Sequence, residues 1–289
     1  VKYGIIAGNG RFPVLALESA RQMGDEAVVI AIREEAAPEL ESRHWVSLGE
    51  LSRLIDICHQ EGITQVMMAG QVKHSKIFSN IKPDWRLFKL LAALPRKNTD
   101  GLIGAVAKVL QDEGIELVDS TKLLKNLLAP EGILTKRKPT SEEQANIDYG
   151  RKIADALATF DLGQSCAIAD RACVALEAME GTDAMLRRAA ELANNRPLTL
   201  VKSSQRRGHL LFDVPVIGLE TISVMQQTNT TAISIDAGRT LLLDRDDLTR
   251  AANNADLTIT AVNVAPAHGR ESKMRLPNET APSTSRGHQ

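Results

Sequence analysis

A chain of 289 residues with 43% hydrophobic side chains is long enough for two domains and apolar enough to bury cores without disulfides. Its 35 basic and 36 acidic residues leave a formal charge of −1, which argues against a general nucleic-acid binder. No stretch approaches the ~18 apolar residues of a spanning helix, and no charged-then-apolar leader precedes the first strand. The chain is therefore expected to be soluble and cytoplasmic, with any contact to the inner membrane peripheral. Cys58, Cys166 and Cys173 show no metal-ligand spacing and read as buried thiols in a reducing compartment.

In chain order, apolar runs at 2–7, 27–32, 64–69 and 115–118 read as strands, and helical periodicity fills 12–23, 48–61, 84–94 and 101–113. Strands alternating with helices of roughly 10–15 residues predict a parallel sheet covered on both faces. Residues 1–128 are thus a Rossmann-like α/β domain. The Pro-, Gly- and charge-rich stretch 129–142 reads as a linker. Beyond it, helices are expected at 141–159, 182–193, 218–228 and 246–255. Strands are expected at 166–169, 174–178, 198–202, 232–235, 240–243 and 257–262, giving a second α/β domain over 143–264. Residues 265–289 have too few apolar side chains to order themselves and read as a disordered tail.

Ligands of parallel sheets bind at the carboxyl ends of the strands, so the loops there carry the candidates. Gly8-Asn9-Gly10 follows the first strand, where glycines let backbone N–H groups approach a phosphate. Pro13 replaces the third glycine of a dinucleotide fingerprint, which disfavours a nicotinamide site and leaves a phosphate or sugar contact, or a plain tight turn. After the third strand come Gln71, Lys73 and His74, with Lys73 able to face a phosphate or simply the solvent. Asp119-Ser120-Thr121 follows the fourth. In the second half, Glu180, Thr182 and Asp183 crowd a strand-to-helix turn, where Thr182 is a candidate cap and the acids could hold a divalent cation. Asp213 stands between apolar residues, two before Pro215, and a carboxylate in that setting needs a cation, donors or a proton, unless it is a turn aspartate or the cap of the helix at 218–228. Lys202, Arg206 and Arg207 precede it with charge suited to a diphosphate. No GxxxxGK(S/T), GxSxG or HExxH motif is present.

The words IIAGNGRFP, MAGQVKHS, NTDGLIGAVAKVLQDEGIELVDSTKLL, EGTDAM and FDVPVIG, in that order across residues 1 to about 262, resemble one family. It is the UDP-2,3-diacylglucosamine pyrophosphatase family that lacks a calcineurin-like metal centre. The resemblance implies two α/β domains with a ligand chamber between them. It also implies magnesium-dependent hydrolysis of UDP-2,3-diacylglucosamine to UMP and 2,3-diacylglucosamine 1-phosphate, in lipid A synthesis. The family's essential aspartate falls on Asp213, and its substrate-contacting positions on Gly8, Asn9, Gly10, Gln71, Lys73, Asp100, Thr182, Asp183 and Lys202. Asp213 and Asp183 are the candidate metal ligands. Where many members carry a Lys-Pro-Gly-Gln-Asp stretch, this chain has Gln205-Arg206-Arg207-Gly208-His209, keeping the basic character but losing the acid. A nucleotide-sugar or nucleotide-lipid binding protein of the same fold, without hydrolysis, is the alternative.

Overall fold

A computed structural model describes residues 1–38, 40–70, 72, 82–94, 99–160, 163–204 and 214–264, with the side chains at 99–100 and 158–160 outside the description. The expected tail at 265–289 also lies outside it.

The first half is one five-stranded parallel sheet. Strand β1 (Lys2–Ala7) sits at its centre, with β2 (Glu26–Ile32) and β3 (His44–Val46) on one side and β4 (Gln65–Ala69) and β5 (Glu116–Leu117) on the other. The order 3-2-1-4-5 reverses between β1 and β4, which opens a crevice at the carboxyl ends there. Both sheet faces are buried, as the unbroken apolar runs of β1 and β2 require. Tyr3, Ile5 and Ala7 of β1 pack with Phe12, Ala16, Leu17 and Ala20 of α1 (Phe12–Gln22). Ile6 faces the other way, into a cluster with Leu54 and Ile55 of α2 (Leu51–Glu61), Leu87 and Leu90 of α3 (Trp85–Ala93) and Leu110 of α4 (Thr99–Asp112). The short β3 has no period-2 apolar pattern of its own; it exists by pairing with Ile30–Ile32 of β2.

In the second half, β6 (Gly132–Ile133), α5 (Ser141–Phe160), β7 (Ser165–Ala169), β8 (Ala172–Leu176) and α6 (Thr182–Leu192) come first. Then follow β9 (Leu198–Lys202), β10 (Val216–Ile217), α7 (Leu219–Gln227), β11 (Thr230–Asp236), β12 (Leu241–Leu242), α8 (Arg245–Asn254) and β13 (Thr258–Val262). Its sheet runs β6-β13-β11-β9-β7-β8, with β9, β11 and β13 parallel and the others antiparallel. One face, with Leu198, Leu200, Ile233 and Ile235, packs against α6, α7 and α8. The other lies under α5. A Cβ at Gly150 of α5 would come within 2.7 Å of Val201 Cγ2, so glycine there sets how closely this helix can approach the sheet.

The stretch 129–142, expected as a linker, carries β6 and closes on the second sheet. Ala129 is buried, and Arg137 donates to Glu143 and to the Thr231 carbonyl. The composition that suggested a loose connector instead reflects a short edge strand followed by an ion-paired turn.

Strands β10 and β12 form a separate two-stranded parallel ribbon between the halves. Its paired residues Val216 and Leu241 pack on the first-half core, while the next pair, Ile217 and Leu242, packs on the second-half core. Successive strand side chains point to opposite faces, so this ribbon is shared by both cores and joins them by apolar burial.

Candidate active site

The polar groups that converge lie at the carboxyl edge of the second sheet. Lys202 ends β9, opposite Ser165 of β7 in register. Its Nζ donates to Thr182 Oγ1 at 2.8 Å, and Thr182 donates on to Glu177 Oε2 at 3.1 Å, with Ser165 Oγ 3.3 Å from the same hydroxyl. Glu177 is buried and accepts from the Thr182 hydroxyl, which in turn holds the Lys202 ammonium at the helix start. An ammonium carries three donors, of which Thr182 takes one. Thr182 does not cap α6, as its position suggested: Gly181 is the N-cap, and the Thr182 hydroxyl turns aside to Lys202 and Glu177. Thr182 is already the first helical residue, one past the capping position. Asp183 follows in the first turn of α6.

Glu180 is not part of this convergence. It accepts from Ala178 N at 3.0 Å and from Arg188 Nη2 at 2.6 Å, and backbone N–H donation together with Arg188 lowers its pKa. It closes the turn before α6.

Next to Lys202, a buried network spans β9, β11 and α5. Asp236, fully buried at the end of β11, accepts from Ser204 N at 2.7 Å, Ser204 Oγ at 2.8 Å and Ser203 Oγ at 3.3 Å, and pairs with Arg151 of α5. Arg151 also donates to Ser234 Oγ at 2.8 Å, and Arg239, on the loop after β11, donates to Ser204 Oγ at 2.7 Å. Asp155, one turn beyond Arg151, lies 3.5 Å from Ser203 Oγ. A carboxylate taken out of water is tolerable only when paired and fully hydrogen-bonded, and Asp236 meets both conditions. The network fixes Ser203 and Ser204, hence the direction in which the chain leaves β9.

The first-half loops are built from backbone. Gly8 N donates to Ala69 O at 2.8 Å, and Gly10 N donates to Asn9 Oδ1 at 2.8 Å. Gly70, at φ +89°, lies so close that a Cβ there would sit 2.4 Å from the Asn9 carbonyl oxygen. Asp119 accepts from Thr121 N at 2.8 Å and Thr121 Oγ1 at 2.6 Å, which closes the turn after β5. An Arg11–Asp244 ion pair ties the residue after Gly10 to the start of α8.

Of the expected site residues, then, the structure brings Thr182 and Lys202 into contact, with Asp183 beside them. Gly8, Asn9 and Gly10 form a loop tied to the second half through Arg11. Asp100 belongs to the first turn of α4, its side chain undescribed, and Gln71, Lys73, His74 and Asp213 lie outside the described residues. Among the described residues, no three His, Cys, Asp or Glu side chains group as metal ligands, and Asp236 has its oxygens filled by Arg151, Ser203 and Ser204. Also among the described residues, no helix is long and apolar enough to cross a membrane.

Residues 2–127 match the family model for the LpxI N-terminal domain, and residues 130–260 the model for the LpxI C-terminal domain. A protein from Caulobacter vibrioides, named UDP-2,3-diacylglucosamine pyrophosphatase LpxI, is 32% identical over 274 residues, covering 91% of this chain and 98% of that one. The chain belongs to the LpxI family. Among solved structures, the holo form of a GalE-like L-threonine dehydrogenase from Cupriavidus necator aligns over 88% of this chain and 92% of that one, with a TM-score of 0.29 and 12% identity. A biotin carboxylase domain dimer from Hydrogenobacter thermophilus gives a TM-score of 0.24 and 11% identity over 66% of this chain and 41% of that one.

For this LpxI-family chain, sequence reasoning missed Arg151, Asp155, Glu177, Asp236 and Arg239. Asp236 ends a buried strand and Ala237-Gly238-Arg239-Thr240 follows it, and that placement at a carboxyl end was the available signal. Arg151 and Asp155 stand four apart on a helix and read as an ordinary polar face.

Proposed function

We propose that this chain hydrolyses the diphosphate of UDP-2,3-diacylglucosamine, releasing UMP and 2,3-diacylglucosamine 1-phosphate for lipid A synthesis at the cytoplasmic surface of the inner membrane. The near-full-length match to a protein named for that pyrophosphatase carries the reading. The Rossmann-like strand order of the first half suits a nucleotide at its carboxyl edge. The Lys202–Thr182 pair at the head of α6 suits a diphosphate, because a cation and the unpaired N–H groups of a first helical turn both favour anionic oxygens. The substrate would lie between the halves, with its nucleotide toward Gly8, Asn9, Gly10, Gln71, Lys73 and Asp100, and its diphosphate toward Thr182, Asp183 and Lys202.

In the reaction, a water oxygen bonds to one phosphorus while the bridging oxygen leaves with its electron pair. Lys202 offsets charge that grows on the phosphoryl oxygens, and Asp213 acts either as a ligand of the metal or by orienting the attacking water and accepting its proton. Magnesium, when bound, would supply further charge neutralisation on the diphosphate. The described residues form no cage for it, and Asp183 and Asp213 are the carboxylates we propose for it.

The test is direct. Purified protein with UDP-2,3-diacylglucosamine and magnesium should release UMP and the lipid 1-phosphate, identified by mass. Asp213→Ala should abolish that release while retaining bound substrate and an unchanged melting temperature, the pattern of a group acting in the transition state. Binding without UMP release from the unmodified chain would instead mark a carrier of the nucleotide lipid.

A further inference from the structure

Helix α3 is apolar on two sides. Leu87 and Leu90 point inward and are buried in the first-half core, with Leu91 and Leu94 packed beside them. That stripe is what a surface helix needs to stay attached. On the opposite side, Trp85 is 66% exposed and Phe88 52% exposed, stacked on each other with centroids 5.8 Å apart and planes 13° from parallel. Lys89 lies over the Trp85 ring, 4.9 Å from its centroid. In a chain with only 3% aromatic residues, two of the largest stand together in solvent.

The helix is well anchored beneath this face. Asp84 caps it, accepting from Leu87 N at 2.9 Å and from Ser52 N at 2.6 Å, and Arg86 is held to Glu113. An exposed aromatic pair on a rigid base is a docking surface rather than an accident of a loose segment. Charge identifies what docks. Among the described residues 82–94, Lys82, Arg86 and Lys89 stand against one acid, Asp84, whose carboxylate is occupied in capping. The chain as a whole has a net charge of −1, so the basic excess is local.

Aromatic side chains beside lysines on one face of a short helix match a membrane–water interface, where rings settle among headgroups and ammonium groups meet anionic phosphates. We propose that the outer face of α3, through Trp85, Phe88 and Lys89, with the exposed Lys82 just before the helix, docks the protein on an anionic lipid bilayer. This rests on the proposed function only for its purpose: a substrate with two acyl chains would be taken from the membrane at that surface.

The experiment uses the full chain and needs no activity. With Trp45→Phe in place, Trp85 is the one remaining tryptophan and reports its own surroundings. Its emission should shift to the blue on adding vesicles of phosphatidylcholine with a quarter phosphatidylglycerol, and less with phosphatidylcholine alone. In the wild-type background, Trp85→Ser with Phe88→Ser should weaken cosedimentation with the anionic vesicles at least tenfold at an unchanged melting temperature. Lys82→Glu with Lys89→Glu should remove the preference for phosphatidylglycerol. An unshifted Trp85 spectrum, or undiminished vesicle binding by the double serine variant, overturns the proposal. So does a blue shift that grows with protein concentration without vesicles, which would assign the face to a second copy of the chain. If vesicle binding holds and UMP release does not, the docking surface stands and the substrate assignment falls.

Discussion

The two sheets of this protein agree at their amino edges and part ways at their carboxyl edges. At each amino edge a carboxylate is pinned by a cation and further hydrogen bonds. Glu61 receives His44 and Lys2 near the starts of β3 and β1, and Glu143 receives Arg137, Thr231 and Thr140 near the start of β11. Both carboxyls are held at about 2. At the carboxyl edges, the first sheet ends in Gly8, Asn9, Gly10 and Gly70, whose contacts are backbone to backbone or within one residue pair. The second ends in Lys202, Ser203, Ser204, Asp236 and Arg239, cross-linked by side chains. Amide loops adapt in shape and carry no net charge, while fixed charges set an orientation. The difference leads us to expect shape fitting at the Gly8–Gly10 and Gly70 loops and charge handling at the Lys202 and Asp236 edge.

The comparison breaks most visibly at Asp236. Replacing it with Ala leaves the Arg151 guanidinium, only 13% exposed, without its counter-charge. Orphaning one member of a buried pair costs about 3–5 kcal/mol, so Asp236→Ala should lower the melting temperature strongly and impair turnover by releasing Ser203 and Ser204. Stability within about 1 kcal/mol of wild type would show that the second edge does not depend on its charges.

A smaller effect is expected at Gly70. Its φ of +89° and the 2.4 Å approach of an added Cβ to the Asn9 carbonyl both resist a side chain. Gly70→Ala should cost about 1–3 kcal/mol and displace the Gly8–Gly10 loop. Weaker substrate binding with kcat less affected would fit a shape-fitting role; the reverse would move chemistry into the first sheet.

How far the sequence disclosed this contrast depends on range. Strands β1 and β9 were legible to the residue because each is a continuous apolar run closed by a glycine or a lysine. Strand β12 falls inside the run expected at 240–243, but its partner β10, two residues long, was not legible, since the ribbon exists only through contact with two cores far apart in sequence. The same holds for the site. Thr182 and Lys202 stand in recognisable words, but the partners Glu177, Arg151 and Asp236 are chosen by sheet order, which brings β9 and β11 side by side although residues 203–229 separate them in the chain. Local patterns announce a loop's chemistry; they do not announce which buried charge orients it.

The smallest expected effect tests the point on which the sheets agree. Burial alone would raise the Glu143 carboxyl, but hydrogen bonds from Arg137, Thr231 and Thr140 outweigh it and hold the group at about 2, below its ordinary 4.5. Glu143 is nearly buried, so solvent screening discounts the interaction little. The folded state therefore binds this proton more weakly than the unfolded chain. The stabilisation is complete above pH 4.5 and fades as pH falls from 4.5 toward 2. By pH 3.5 about 1 kcal/mol should be gone on this account. Glu143→Gln should be less stable than wild type at pH 7, and the gap should narrow as pH drops through that window. Urea midpoints of the two proteins at pH 7, 5, 4 and 3.5 measure it. A gap that stays constant with pH would mean Glu143 contributes its shape and hydrogen bonds but not its charge, and the likeness of the two amino edges would then be one of position alone.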